Sequence, residues 1–248
     1  MLNWTIRIRS LMLLVGILIS STFGFAAEAP YASSAWWDGF WKTTDGWGKP
    51  NERVMSLFKS LDGSKKTITV VDIGSGNGRN SVLTLVELFA TKDPESNYII
   101  HCFDYSDLAL LGLAGRTLPG WLEIVTVKAD VNALTSIPNA DLVLLYGILE
   151  YVEEQNLSRI FNVTSKAVNE GGFLVVVTLV DGEGALKISG EFTRSAEEYT
   201  RHLASISNLK FIDTPTVSLR PDRHDLGRGY AEDHLHYVFR TVLSSLFF

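Results

Sequence analysis

The chain has 248 residues, 46% of them hydrophobic, enough to bury a sizeable core in what is expected to be one large domain. Its 28 acidic residues outnumber 22 basic ones, and the net charge of -6 gives no reason to expect nucleic acid or an anionic membrane surface as a general partner. Cys102 is the only cysteine, which excludes an intramolecular disulfide and a multi-cysteine metal cluster, and no metal site is expected.

The first 26 residues stand apart from the rest. MLNWTIRIRS carries Arg7 and Arg9 without an acid, LMLLVGILIS is wholly apolar or small, and STFGFAAEA ends in small residues with Gly24 and Ala26 at signal-peptidase spacing. This three-part layout is that of a secretory signal peptide. The stretch from Ser10 to Ala27 is also free of charge and long enough for an uncleaved anchor, so membrane association through residues 1–26 is an open alternative. Arg7 and Arg9 belong on the cytoplasmic side in both cases, which places the remainder in a periplasm or secretory pathway. A mitochondrial or other organelle presequence fits this composition less well.

Residues 27–66 follow as an aromatic-rich cap. Trp36, Trp37, Phe40, Trp41 and Trp47 crowd one short region with Asp38 and Asp45. They either fill a groove of the domain or form a lid over a ligand, Trp37 and Trp41 being the candidates to touch a substrate. A helix is expected over Val54–Leu61, ending at Asp62-Gly63.

From Thr67 to the C-terminus, strand and helix signals alternate. ITVVDIG, YIIHCFDY, LEIVTVKAD, DLVLLYG and FLVVVTLV read as strands, separated by helical patterns in SVLTLVELFA, DLALLGLAG and EEQNLSRIFNVTSKAVNE. Near-continuous apolar strands between helices imply a parallel sheet covered on both faces. SAEEYTRHLAS reads as a further helix, KFIDTPTV as a sixth strand, and SLRPDRHDLGRGYAED as a loop leading to HLHYVFRTVL. Two strands joined by a loop without a crossover helix must be antiparallel. The expectation is therefore an α/β, doubly wound, mostly parallel seven-stranded sheet with its last strand antiparallel, occupying residues 67–248.

The stretch VVDIGSGNGRN, from Val70 to Asn80, places three glycines directly after the first strand. Ligands of open α/β sheets bind beyond the carboxyl ends of the strands, and glycines there let backbone amides approach closely. A phosphate-binding Walker loop needs Gly-Lys-Ser/Thr, whereas Gly78 is followed by Arg79-Asn80. A dinucleotide fingerprint spaces its glycines as G-x-G-x-x-G, whereas this loop is G-x-G-x-G with an acid before it.

Asp72, Gly74, Gly76 and Gly78 together resemble the first motif of the class I S-adenosylmethionine (SAM)-dependent methyltransferases. The resemblance extends to Asp104 at the end of the second strand, Asp130-Val131 after the third, the run from Asp141 to Val152, and Gly171-Gly172 as a turn into the fifth strand. It implies SAM as cofactor, with Asp104 on the ribose hydroxyls and Asp130 near the adenine amino group. The implied cofactor contacts are Asp72, Gly74, Ser75, Gly76, Asn77, Gly78, Asn80, Asp104, Tyr105, Asp130, Val131, Tyr146 and Gly147. Residues ending the fourth strand are expected nearest the methyl group, and Tyr146, Glu150 and Tyr151 are the catalytic candidates. Glu150 reads either as a base or as a solvated residue at a helix start.

The loop after the sixth strand is expected on the same side of the sheet. Its Arg220, Arg223 and His224 suggest an anionic substrate, or else a solvated loop whose acids offset its arginines. The implied activity is methyl transfer to a small-molecule or peptide acceptor. A noncatalytic SAM-binding or scaffold protein that retains the fold is the rival reading, and a nicotinamide-dependent oxidoreductase is disfavoured by the glycine spacing.

Overall fold

The computed structural model describes residues 33–43, 50–181, 192–225 and 231–245, with residues 43, 218–225 and 231–241 at the level of the backbone alone. Residues 31–248 form one compact unit, and the leader expected over residues 1–26 lies outside the described residues. No described helix is long and apolar enough to cross a membrane.

The strands are β1 (Thr67–Ile73), β2 (Asn97–Asp104), β3 (Leu122–Lys128), β4 (Ala140–Tyr146), β5 (Val168–Val180), β6 (Lys210–Phe211), β7 (Thr216–Asp225) and β8 (Ala231–Ser244). The helices are α1 (Ser34–Thr43), α2 (Glu52–Leu61), α3 (Val82–Leu88), α4 (Asp107–Ala114), α5 (Glu154–Ala167) and α6 (Ala196–Ala204). Single 3-10 turns at Val131–Ala133 and Leu149–Tyr151 follow β3 and β4.

The sheet order is β3-β2-β1-β4-β5-β8, with β6 and β7 both on the outer edge of β8. Strands β1 to β5 pair in parallel, and β8 runs antiparallel to β5, β6 and β7. The expected seven-stranded sheet with a reversed last strand is therefore present. Its sixth position is split into β6 and β7, and Pro215, which has no amide hydrogen, lies in the gap between them.

Winding reverses between β1 and β4, so the cleft beyond their carboxyl ends is the ligand-binding position of such a sheet. The apolar runs that signalled parallel strands are buried on both faces. Val71, Ile73, Val143 and Leu145 pack under α5 and α6 with Leu157, Ile160, Phe161, Tyr199 and Leu203. Their sequence neighbours Val70, Leu142 and Leu144 pack under α2 and α3 with Val54, Phe58, Val82 and Leu85. Two-residue alternation thus sends one strand's side chains into two separate cores.

Two local expectations differ from the structure. Gly171-Gly172 lies within β5 rather than in a turn before it, at a register shift between the Ala140–Val168 and Leu142–Phe173 pairs. Gly171 adopts a φ of 75°, and a Cβ on Gly172 would come within 2.8 Å of the Asp141 carbonyl, so the glycines serve a bulge. The expected loop from Ser218 to Asp233 is mostly strand, with β7 continuing to Asp225 and β8 starting at Ala231.

Asp141 closes the amino-terminal edge of the sheet, far from the cleft in chain direction. Its buried carboxylate accepts from the Lys65 ammonium, the Thr69 amide at 2.9 Å and the Asn169 side-chain amide at 2.9 Å. Burial raises its pKa, but the Lys65 hydrogen bond and the two amide donors outweigh burial and hold it below the ordinary value. A depressed carboxylate stabilises the fold above its unfolded pKa, and that contribution is lost as pH falls through the folded value. Asp141→Ala is expected to cost about 3 kcal/mol in urea denaturation at pH 7, because it strands buried donors. The cost should shrink as pH falls below 3.8, where the unfolded chain binds the proton first, and vanish below the lower folded value.

Candidate cofactor and substrate site

The β1–α3 loop is built on left-handed glycines, with φ of 72° at Gly74, 53° at Gly76 and 75° at Gly78. An L-residue is strained at such angles, and space forbids one as well. A Cβ on Gly76 would lie 2.5 Å from Cζ2 of Trp41, and one on Gly78 would lie 2.8 Å from Cδ2 of Leu113. The Gly74 and Ser75 amides both donate to the Phe103 carbonyl, at 2.8 and 3.0 Å, which fastens the loop to the end of β2.

Asp104 makes the second fastening. Its Oδ2 accepts from the Gly76 amide at 2.7 Å and its Oδ1 from the Ser106 amide at 2.8 Å. Burial raises the Asp104 pKa, and the donated amides only partly oppose that rise. The Ser75 hydroxyl is buried nearby and makes no hydrogen bond of ordinary geometry. An ionisable carboxylate and a side-chain-free backbone therefore lie together at one strand end, a set that suits a ligand rich in hydroxyl and amino groups. Asn77 turns the chain by accepting the Arg79 amide at 3.2 Å, and Asn80 accepts the Asn51 amide at 3.3 Å. Tyr105 is exposed beside Asp104.

The aromatic segment closes on this loop. Asp38 of α1 accepts from the Ser106 hydroxyl at 2.6 Å and the Leu108 amide at 3.1 Å, while the Ser34 hydroxyl donates to the Tyr105 carbonyl at 3.0 Å. Ser106 is also the N-cap of α4 and accepts the Ala109 amide, so Asp38 adds a negative charge at a helix N-terminus. Burial alone would raise the Asp38 pKa, but the Ser106 and Leu108 hydrogen bonds with Lys128 and Lys42 lower it overall. Trp41 rests on Gly76, and Trp37 meets the Tyr151 ring edge-on at 5.4 Å. Trp37 and Trp41 thus pack against the strand-end loops, a placement common to the groove-filling and lid readings. Asp45 and Trp47 lie outside the described residues.

Asn51 links the other wall. It caps α2 by accepting the Arg53 and Val54 amides, and its side-chain amide donates to the Tyr146 hydroxyl at 3.3 Å. The Arg79 guanidinium lies over the Tyr146 ring, 5.4 Å from its centre. Gly147 is exposed at the end of β4 with a φ of 67°. Beside it Glu150 is buried, not solvated, and its Oε2 accepts from the Thr178 hydroxyl at 2.8 Å. A Cβ on Gly147 would lie 3.7 Å from Oε1 of Glu150, so this carboxylate borders the cleft floor.

Beneath Glu150, the buried Arg194 donates to the Val152 and Phe192 carbonyls at 2.9 and 2.8 Å and to Glu154 at 2.7 Å. Thr178, Arg194, Asn51 and Asp38's partner Ser106 escaped the sequence-level site assignment. Asn51 and Ser106 carry N-cap signals, each preceding a helix with an acid at its first position, whereas Thr178 and Arg194 have no sequence mark.

Asp130 takes a more local part. It caps the turn after β3 by accepting the Asn132 amide at 2.8 Å, while Val131 is buried in the core. The Ala129 amide donates to the Asp104 carbonyl at 2.9 Å, which keeps Asp130 next to the β2 end. Asn132 then donates to the Tyr151 carbonyl at 2.9 Å, joining the ends of β3 and β4 across two intervening strands. Arg220, Arg223 and His224 are not in a loop. They are β7 residues, and strand alternation puts Arg223 on the face opposite Arg220 and His224, so the expected cationic cluster is divided.

Asp72 lies below the loop and is fully buried, its Oδ2 accepting from the Ser81 hydroxyl at 2.5 Å. Burial raises its pKa to about 6, partly offset by Ser81 and reinforced by the charge of Asp104. Burial likewise pushes the Cys102 thiol up, which keeps this buried cysteine protonated and a poor nucleophile.

This is the class I methyltransferase fold, and comparison with solved structures agrees. TehB from Haemophilus influenzae superposes with a TM-score of 0.59 at 15% identity, over 84% of this chain and 66% of its own. Haemonchus contortus phosphoethanolamine N-methyltransferase 2, solved with SAM, gives 0.56 at 14% identity over 88% of this chain and 58% of its own. A pericyclic reaction enzyme gives 0.53 at 15% identity over 85% and 50%. The chain therefore spans two thirds or less of the length of each. No family model and no curated protein matches the sequence.

Two outcomes follow from the buried acids and their caps. A raised carboxylate pKa favours folding below the unfolded value of 3.8, and that benefit is lost as pH rises through about 6. Asp72→Asn is therefore expected to raise stability at pH 7 by on the order of 2–3 kcal/mol, with no gain at pH 3.5, in calorimetric melting across that range. Ser106→Ala removes both a cap and the lid anchor. It should cost about 1–2 kcal/mol in chemical denaturation and expose tryptophan to an aqueous quencher; unchanged quenching would show that Asp38 does not hold α1 through Ser106.

Proposed function

We propose that the chain is a SAM-dependent methyltransferase acting on a small-molecule or peptide acceptor. The observation that carries this reading is the Asp104 carboxylate, held by the Gly76 and Ser106 amides at the carboxyl end of β2. A carboxylate so placed can accept from vicinal ribose hydroxyls, while the Gly74–Gly78 backbone admits the amino-acid portion of the cofactor. SAM supplies an activated methyl group when bound. Two of the similar structures are named as a methyltransferase with SAM or as an enzyme of another reaction class, so the fold alone does not choose the chemistry.

The chain's own contribution is positioning. Tyr146, Gly147 and Tyr151 border the acceptor position, and α1 with Trp37 and Trp41 excludes water from it. Glu150, anchored by Thr178 beside Gly147, is the group able to take a proton from an acceptor amine or hydroxyl. The rival reading is a binding protein in which the loop and Asp104 take the ligand without turnover. Residues 1–26 are proposed to direct the chain into or across a membrane, which sets the compartment in which SAM must be supplied.

Calorimetric titration of the chain with SAM, S-adenosylhomocysteine and NAD tests the proposal. Micromolar binding of both adenosyl ligands, weakened at least tenfold by Asp104→Ala, is the expected result. Binding of NAD alone, or no adenosyl binding by folded protein, would remove the methyltransferase reading.

A further inference from the structure

Strand β5 carries a single polar side chain in its apolar run. FLVVVTLV, from Phe173 to Val180, places Thr178 between Val176 and Val180. Alternation puts these three on one face of the strand, where Val176 and Val180 pack in the core with Tyr199 and Leu203. A valine would fill the same space without a hydroxyl, and a buried hydroxyl is costly unless it is bonded. Thr178 is 1% exposed, and its hydroxyl donates to Oε2 of Glu150 at 2.8 Å. Its other acceptor, the Leu179 carbonyl, is at 3.4 Å, so the carboxylate takes the single hydrogen.

Glu150 raises the same question from the other side. A buried carboxylate seldom serves stability better than an apolar residue of its size, so the pair calls for another explanation. Its two oxygens have different surroundings. Oε2 is bonded to the strand, whereas Oε1 lies 3.7 Å from the Cβ position of Gly147, which is exposed at the end of β4.

The backbone that carries Glu150 is fixed independently. The Phe192 amide donates to the Glu150 carbonyl at 2.6 Å, and Arg194 donates to the Val152 carbonyl at 2.9 Å. That segment is itself tied to the end of β5, since Val180 bridges Arg194 in parallel and the Asp181 amide donates to the Arg194 carbonyl at 2.9 Å. With the turn held at both points, the remaining freedom of Glu150 is in its side chain. The charged and titratable neighbours on this side are Arg194, which pairs with Glu154 and Glu198, and Tyr199 beneath its guanidinium. Burial raises the Tyr199 pKa and the charge of Glu150 adds to that rise, which puts phenol and carboxylate in one electrostatic neighbourhood.

We propose that Thr178 is a positioning residue, holding Oε2 of Glu150 so that Oε1 is the oxygen that receives the acceptor's proton. The inference rests on the methyltransferase reading of the cleft. In that step the acceptor nitrogen or oxygen bonds the methyl carbon, the electron pair of the broken C–S bond leaves with sulfur, and the acceptor's proton passes to Oε1. A hydroxyl that donates to Oε2 favours the ionised carboxylate which this transfer needs, and it keeps the second oxygen turned from the cleft.

The test is NMR of isotopically labelled glutamate carboxyl carbons in the full chain, with the Glu150 resonance identified by its loss in Glu150→Gln. Thr178→Val keeps the shape and loses the donor, and it is expected to move the Glu150 titration midpoint up by about one pH unit. Thr178→Ser restores the donor and should return the midpoint. A merely structural role would lower the melting temperature of Thr178→Val and leave the midpoint in place, and that result would overturn the proposal. Thr178→Ala, which also lacks the hydroxyl, is read instead if Thr178→Val does not fold. Calorimetric titration of the same samples with SAM separates the two levels of the argument. An unmoved midpoint in protein that binds SAM removes the role of Thr178 alone, whereas no SAM binding by any folded sample removes the reading beneath it.

Discussion

The cleft depends on one carboxylate. Asp104 stands where β2 gives way to α4, and each of its oxygens takes an amide from a different segment. One amide belongs to the glycine loop, and the other to the residue that caps α4. Without that double acceptance, Gly76 would have no partner to hold its left-handed conformation, and Ser106 would lose its fixed place. Because Ser106 in turn donates to Asp38, the lid helix inherits its position from the same strand end. Loop, helix start and lid form one chain of hydrogen bonds, with a partly desolvated anion at its centre.

A second level of organisation lies in the placement of charge. Asp72 is buried below the loop and Asp104 is half-buried at its edge, and the charge of Asp104 raises the cost of ionising Asp72. Asp141, by contrast, gains from its neighbours because Lys65 and two amides surround it. The amino-terminal edge of the sheet is therefore built for stability, and the carboxyl-terminal edge tolerates destabilising charge. That division matches a sheet whose working end lies beyond its strand termini.

Much of this was legible in the sequence because it depends on local patterns. Apolar runs marked β1 to β5, the glycine spacing marked the loop, and a missing crossover marked the reversed strand. Asp104 was found because it ends the second strand, where the resemblance implies an acid. What escaped depends on contacts between distant segments. Burial of Glu150 follows from Thr178, 28 residues later, and from the 3-10 turn that tucks it under Gly147, neither of which has a periodic signature. The strand residues Arg220–Asp225 and Ala231–His236 were missed for a different reason. Charged and glycine-containing stretches read as loops, and strand pairing through the backbone needs no apolar alternation to form. The sixth strand was read straight through Pro215, so its split there and its continuation to Asp225 were both missed.

The contacts of α1 also set a clock. The helix beside Gly76 is fastened at Ser34, Asp38 and Trp41 to three points of the cleft. For a ligand bound there as proposed, breaking those fastenings would be a conformational step on the path of exchange. Residence time, rather than equilibrium affinity, is the quantity that this arrangement governs. A spent cofactor held under such a cover would leave slowly, and turnover would keep time with the opening of the helix.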